Sequence, residues 1–304
     1  MTDYLFTLVI LSGINVMLAC GFNLILGYGG LVSVAHPIFY AIGGYTSGLL
    51  AQKLGVPIPF AIVFGMLVSA AVSLFVSLPS LRVSGDYLVI ATLGFQLGLQ
   101  HIINNVSITG AANGLTDIPS LIEGPYRLVI YAVLVWALAV ITVLLIRWLV
   151  SGDYGRAITA MRNDEEAFSA LGRNATRIKV TLFAIGSGMA GLAGGLYAHY
   201  ALFLAPDQFG IFASATLLTM VVLGGAATIR GPILGAVIVT FLPEIIRFID
   251  LPVSVMAPLQ GVIFTVLVMM FLLFRPQGLL GGRYGGLEAW GRAAEMADPP
   301  KIKP

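Results

Sequence analysis

Charge is what this chain has least of. Only 10% of its 304 residues are Asp, Glu, Lys or Arg, 58% are hydrophobic, and the mean hydropathy is +0.96. A soluble domain carries about 25% charged residues. So few charges cannot cover a water-facing surface, and the solvent over most of this chain must be lipid. The net charge of +2 is too small to imply a nucleic-acid partner. The one cysteine, Cys20, cannot close an internal disulfide and leaves the redox compartment unread. No G-x-x-x-x-G-K-[ST] loop is present, so the chain does not itself bind and hydrolyse ATP. It has no H-E-x-x-H motif, and none of its three histidines has metal-ligand spacing with another ligand type. No paired carboxylates or Ser/His constellation falls at membrane depth. The chain reads as neither an enzyme nor a metal protein.

Long apolar runs are what it does have. A spanning helix needs about 20 mostly apolar residues. Runs of that kind lie at Tyr4–Leu26, Val32–Ala51, Pro57–Leu78, Asp86–Ile103, Leu128–Ile146, Val180–Leu202, Gly231–Ile249 and Met256–Phe274, with a shorter one at Phe212–Ala226. They predict an all-α, polytopic membrane bundle of about eight or nine segments, some broken or re-entrant. The first run follows Met-Thr-Asp-Tyr without a basic n-region, which predicts a retained span rather than a cleaved signal. Residues 1–283 form the membrane domain, and 284–304 read as a disordered cytoplasmic tail.

The charges that exist are clustered. Arg147, Arg156, Arg162, Arg173, Arg177 and Lys179 surround the acidic Asp164-Glu165-Glu166 between two spans. If this loop is cytoplasmic, so are Arg82, Arg230, Arg275, Arg283, Arg292, Lys301 and Lys303, which puts 13 of the 16 basic residues inside. Lys53, Arg127 and Arg247 remain outside, so the positive-inside rule puts the N-terminus outside and the C-terminus inside. Ser151 or Asp153 can cap a loop helix with apolar positions at Ile158, Met161, Phe168 and Leu171, and Gly172 can end it. A second short helix can begin near Asn174. This loop is either a knob for a partner's groove or a solvated connector.

Glycine and proline mark the other features. Gly188, Gly191 and Gly195, with Gly94–Gly98 and Gly44–Gly48, form small-residue faces for close helix packing, within the bundle or at a subunit interface. His36-Pro37, with Gly43 and Gly44, interrupts a span. It is either a kink or a place where broken helices meet solute. Gly224-Gly225 and Gly231-Pro232 flank a second break, a tight turn or a hinge. Asn113-Gly114 marks a turn in the outer loop. Glu244 and Arg247 are placed to pair on one helix face. His101 and His199 fall at span ends, where wetting is cheap.

Several segments resemble one family. Glu166-Ala167-Phe168-Ser169-Ala170-Leu171-Gly172 is similar to the Glu-Ala-Ala-x-x-x-Gly coupling loop of ABC importer permeases, with Phe168 in place of the second alanine and no downstream proline. Gly27 to His36, then Gly43-Gly44-Tyr45-Thr46, resembles a segment of branched-chain amino acid permeases. Leu81–Tyr87, Thr109–Leu115, Val221–Gly225, Gly231–Ala236 and Pro276–Leu279 add further matches, so the resemblance runs from about residue 20 to 282. It is nearest the M-type subunit. It implies an ABC importer in a bacterial inner membrane, carrying branched-chain or related hydrophobic amino acids. It implies an H-type permease partner, two cytoplasmic ATP-binding subunits and a periplasmic binding protein, with ATP held by the partners and no cofactor in this chain. It implies that 151–177 is the coupling loop, with Glu166, Ala167 and Gly172 at the contact. His36, Pro37, Gly43, Gly44, Gly224 and Gly225 then belong to a pathway or hinge, and Asn113 and Gly114 to binding-protein docking. The rivals are an ion-driven secondary transporter, a structural membrane protein, and an ABC permease for amides, urea or a sugar. The near absence of acidic residues at mid-span weighs against the first.

Overall fold

The computed structural model describes residues 2–80, 86–247 and 278–280, with single helical positions at 266 and 269. The expected span Met256–Phe274, apart from those two positions, and the tail 284–304 lie outside the described residues. What is described is helical, with no strand beyond one isolated bridge between Leu115 and Leu204.

Helix α1 (Thr2–Asn23) runs into a π-helical turn at Leu24–Tyr28, giving a continuous apolar rod. Helices α2 (His36–Leu54), α3 (Ile58–Ser80) and α4 (Asp86–Asn105) follow. A loop of short turns leads to α5 (Arg127–Ser151). Two short helices, α6 (Asp153–Asn163) and α7 (Glu165–Ala170), precede α8 (Ala175–Ala201). A 3-10 turn at Pro206–Phe209 leads to α9 (Ile211–Gly224), and α10 (Arg230–Arg247) completes the described helices. By length and composition, Asp3–Tyr28, Ile58–Phe75, Arg127–Ser151 and Ala175–Ala201 can cross a bilayer. Helix α9 has 14 residues, so it rises only about 21 Å and falls short of the hydrocarbon core.

Helix α8 is the spine, packed against α1, α2 and α3. Glycine makes this possible. A Cβ on Gly65 of α3 would sit 2.6 Å from the Gly43 carbonyl of α2, and one on Gly191 of α8 would sit 2.5 Å from Ser69 Oγ of α3. The Ser69 hydroxyl donates to the Phe39 carbonyl at 2.9 Å, so the same contact carries a polar tie. In lipid, such close approach replaces the hydrophobic drive that water would supply. Helix α5 lies on the other side of α1, where the Trp136 indole donates to the Val9 carbonyl at 2.9 Å. Large apolar side chains remain exposed on α3 (Phe64, Leu67, Phe75) and α5 (Val133, Ile141, Trp148), as hydrocarbon solvent allows.

Several expectations change. The break lies at residues 29–35, before α2, and the helix then runs unbroken through Gly43 and Gly44. Pro37 sits in the first turn, where a missing N–H costs nothing, so it starts the helix and does not kink it. Asn174 does not open a second short helix. It caps the long α8 by accepting from Arg177 N at 3.0 Å, so that span begins before Val180. His199 is not wet: it is fully buried, 2.9 Å from Ser47 Oγ and 2.7 Å from the Pro119 carbonyl. Glu244 accepts from the Tyr4 hydroxyl across to α1, and the Arg247 side chain lies outside the described residues.

Candidate functional site

Two stretches outside the α-helices enter the interior, 29–35 before α2 and 202–210 before α9. Buried backbone without partners is expensive in a bilayer. Helix α4 supplies partners for both stretches. Thr92 Oγ1 accepts from Val34 N at 3.1 Å, and Gln96 Nε2, one helical turn on, donates to the Phe209 carbonyl at 2.6 Å. Ser214, in the first turn of α9, donates to the Val34 carbonyl at 2.8 Å and ties one break to the other. The N-terminal ends of α2 and α9 are thereby held together.

Beside them lies a cavity of about 230 Å³. Its walls come from the middle of α1, the starts of α2 and α9, Tyr197 of α8, and Gln208 of the 3-10 turn. Leu11, Ile14, Leu18, Leu217 and Met220 make the apolar side. Asn15, Tyr40, Tyr197, Gln208 and Thr216 make the polar side, and no charged residue lines it. Asn15, Tyr40, Tyr197 and Thr216 do not stand out in the sequence, because each sits in an apolar run, and Gln208 reads only as part of the Pro206-Asp207 turn.

The residues expected at a pathway or hinge separate into three places. Pro37 lines the cavity. His36 is buried against Phe22, with ring centroids 5.1 Å apart. The Leu18 carbonyl faces the His36 ring outside regular hydrogen-bond geometry, so neither ring nitrogen is satisfied among the described residues. Gly43 and Gly44 lie in the α2–α8 contact, away from the break. Gly224 and Gly225 end α9 in a tight turn, with Gly225 at φ +116°. That turn is clamped by Asn23 of α1, which accepts from Ala227 N at 2.9 Å and donates to the Thr228 carbonyl at 2.9 Å. Leu279 N and Leu280 N donate to the Leu223 and Gly224 carbonyls at 2.9 and 3.0 Å, closing the exposed end of α9.

The charged loop forms a second region. Gly152 precedes α6, whose Ile158 and Met161 are buried, and Asp153 pairs with Arg156. Asp164 ends α6 and caps α7, accepting from Ala167 N at 2.8 Å; such a cap contributes about 1 kcal/mol. Gly172, at φ +75°, follows the end of α7 with its N–H on the Ser169 carbonyl. Phe168 points inward, while Glu166, Ala167 and Leu171 are exposed, Leu171 at 80%. Leu171 thus departs from the expected buried stripe.

Side-chain contacts of Glu165 and Arg162 join this loop to the membrane part. Glu165 pairs with the buried Lys179 of α8 at 2.7 Å. The Arg162 side chain lies over Gly30, where a Cβ would sit 2.9 Å from its Cγ, and burial lowers the pKa of its guanidinium. Leu182 of α8 covers Gly29, where a Cβ would sit 2.8 Å from its Cδ1. The start of the first break is therefore held between α6 and α8.

At the opposite end, Asn113 is exposed and Gly114 turns at φ +78°. The chain then pairs Leu115 with Leu204 through two backbone bonds of 2.9 and 3.0 Å. The loop between α4 and α5 is thus fastened to the stretch that enters α9.

Residues 4–273 match the model of a family described as branched-chain amino acid transport system / permease component. The high-affinity branched-chain amino acid transport system permease protein LivM of Salmonella typhimurium is 35% identical over 294 residues, covering 88% of this chain and 68% of the relative. LivM of Escherichia coli is 34% identical, covering 89% and 68%. The corresponding LivH protein of Escherichia coli is 27% identical, covering 91% and 94%. No solved structure matches.

Proposed function

The chain belongs to the family of branched-chain amino acid transport permease components, and from that premise we propose that it is the M-type subunit of an ATP-driven importer for branched-chain or related hydrophobic amino acids. It is a multi-pass membrane permease and not an enzyme. Its partners in this reading are an H-type permease, two cytoplasmic ATP-binding subunits that hold the ATP, and a periplasmic binding protein. The assembly sits in a bacterial inner membrane with this chain's N-terminus outside and its C-terminus inside, as its basic residues favour.

The observation that carries the coupling role is the exposed edge of α7. Glu166, Ala167 and Leu171 face outward on a capped helix whose Glu165 grips Lys179 of α8. Closure of the ATPases on ATP pushes this edge. The displacement passes through Lys179 to α8, and through Arg162 and Leu182 to the Gly29-Gly30 step. Pro37 and His36 stand just beyond that step, and the break opens alternately to the two sides. Gly172 ends the coupling helix, and Gly224-Gly225 supplies the turn about which α9 moves. Gly43 and Gly44 keep α2 on α8 during the movement. Asn113 and Gly114 receive the binding protein, because their loop is fastened to the entrance of α9.

Glu166→Arg tests this reading. The residue is exposed, so the substitution leaves membrane insertion intact, and ATP-driven uptake is lost. Normal uptake by that variant removes the coupling role.

A further inference from the structure

The cavity beside α9 has features that a passive packing defect lacks. It is half open, with Gln208 exposed, and its wall is apolar on one side and polar on the other. Its volume of about 230 Å³ lies below the roughly 300 to 1,000 Å³ of sites for drug-sized ligands, which leaves room for one small solute.

Part of the hydrogen-bonding inventory of the polar side is unspent, although the Thr216 hydroxyl donates to the Phe212 carbonyl at 2.8 Å. The Tyr40 and Tyr197 rings lie 5.6 Å apart, and neither hydroxyl makes a hydrogen bond among the described residues. Asn15 spends its amide N–H on Thr240 Oγ1 at 2.9 Å, which leaves its carbonyl oxygen as an acceptor. Gln208 accepts only a long 3.4 Å contact from Ala205 N, and its amide N–H groups make no hydrogen bond among the described residues. Donors and acceptors therefore face one space, next to the first turn of α9, where the half-helix dipole is positive. With no fixed charge in the wall, a net ion entering there would be desolvated without a counter-charge. A zwitterion carries its own.

We infer that this cavity is a transit site inside the chain for one zwitterionic amino acid with an apolar side chain. The carboxylate lies toward Gln208 and the start of α9, and the ammonium toward the Asn15 carbonyl and the tyrosine hydroxyls. The aliphatic side chain lies against Leu11, Ile14 and Leu18 of α1 and against Leu217 of α9. The inference rests on the importer reading above and adds to it the place within this subunit where the solute pauses.

The test uses the assembled transporter in lipid nanodiscs. Thr216→Cys in a Cys20→Ala background places one thiol in the cavity wall, and its rate of modification by a small methanethiosulfonate reagent is followed. L-Leucine slows that rate several-fold, while urea and L-lysine do not. Tyr197→Phe, which removes only a hydroxyl, raises the leucine concentration needed for half-protection by about three- to tenfold, the worth of one neutral hydrogen bond. Protection by leucine without ATP-driven uptake would retain the site and overturn the importer reading. Uptake with no protection by leucine, or equal protection by urea and lysine, would overturn the site and leave the importer reading standing.

Discussion

Asn23 holds Thr228. The amide of Asn23, on the last turn of α1, donates to the Thr228 carbonyl at 2.9 Å, and its oxygen accepts from the neighbouring Ala227 N. One side chain thus fixes the turn between α9 and α10 against a helix 205 positions earlier in the chain.

Asn23→Leu leaves both backbone groups of that turn without partners. Ala227 and Thr228 are half-buried, so each unsatisfied group costs at most about 1–3 kcal/mol. The expected outcome is a lower thermal unfolding midpoint in detergent. Asn23→Asp keeps the acceptor for Ala227 and loses the donor to Thr228, so its midpoint falls between those of the parent and the leucine variant.

Gly30→Ala adds a Cβ where φ is +68° and where the Arg162 side chain already lies. The left-handed backbone alone costs about 1–2 kcal/mol for a residue with a Cβ. Uptake should fall. Adding Arg162→Ala removes the side-chain contact and restores part of the stability, so the two substitutions are non-additive in a double-mutant cycle. Strict additivity would show that Arg162 and Gly30 are not coupled.

Gly65→Ala and Gly191→Ala force α2, α3 and α8 apart, because their new methyl groups meet backbone and Ser69. Gly94→Ala and Gly98→Ala, whose new methyl groups meet nothing within 4 Å, do not lower the unfolding midpoint of the isolated chain, and can raise it, since Ala is favoured over Gly inside a helix by about 0.5–1 kcal/mol. Denaturation of the four variants in detergent separates the two faces.

Leu171→Glu changes a side chain that is 80% exposed. The unfolding midpoint stays at the parent value, while binding of the ATPase subunits to detergent-purified permease weakens. Unchanged ATPase binding would remove Leu171 from the coupling edge.

How much of this was legible in the sequence depends on the range of the forces involved. The apolar runs predicted the helices well, because length and hydropathy decide what lies in lipid. Gly172 was legible as a helix end, because a left-handed residue after a helix has a local signature. Pro37 was legible as a special position but not as a helix start: the same residues fit a kink, and the helix boundary depends on Gly30 and on Thr92 from α4. Asn23, Thr92 and Gln96 carried no signal, since a single polar residue in an apolar run does not reveal which distant backbone it satisfies. The cavity is tertiary for the same reason, with walls drawn from five separate segments. Burial of His199 likewise depends on the loop between α4 and α5 folding back to present Pro119.

The most direct test of the central claim is the side of the membrane on which α7 lies. A Glu166→Cys variant in a Cys20→Ser background carries one exposed thiol, since the native cysteine is buried and removed. With a membrane-impermeant maleimide, the account predicts labelling in inside-out vesicles and none in intact cells. Labelling in intact cells would contradict it.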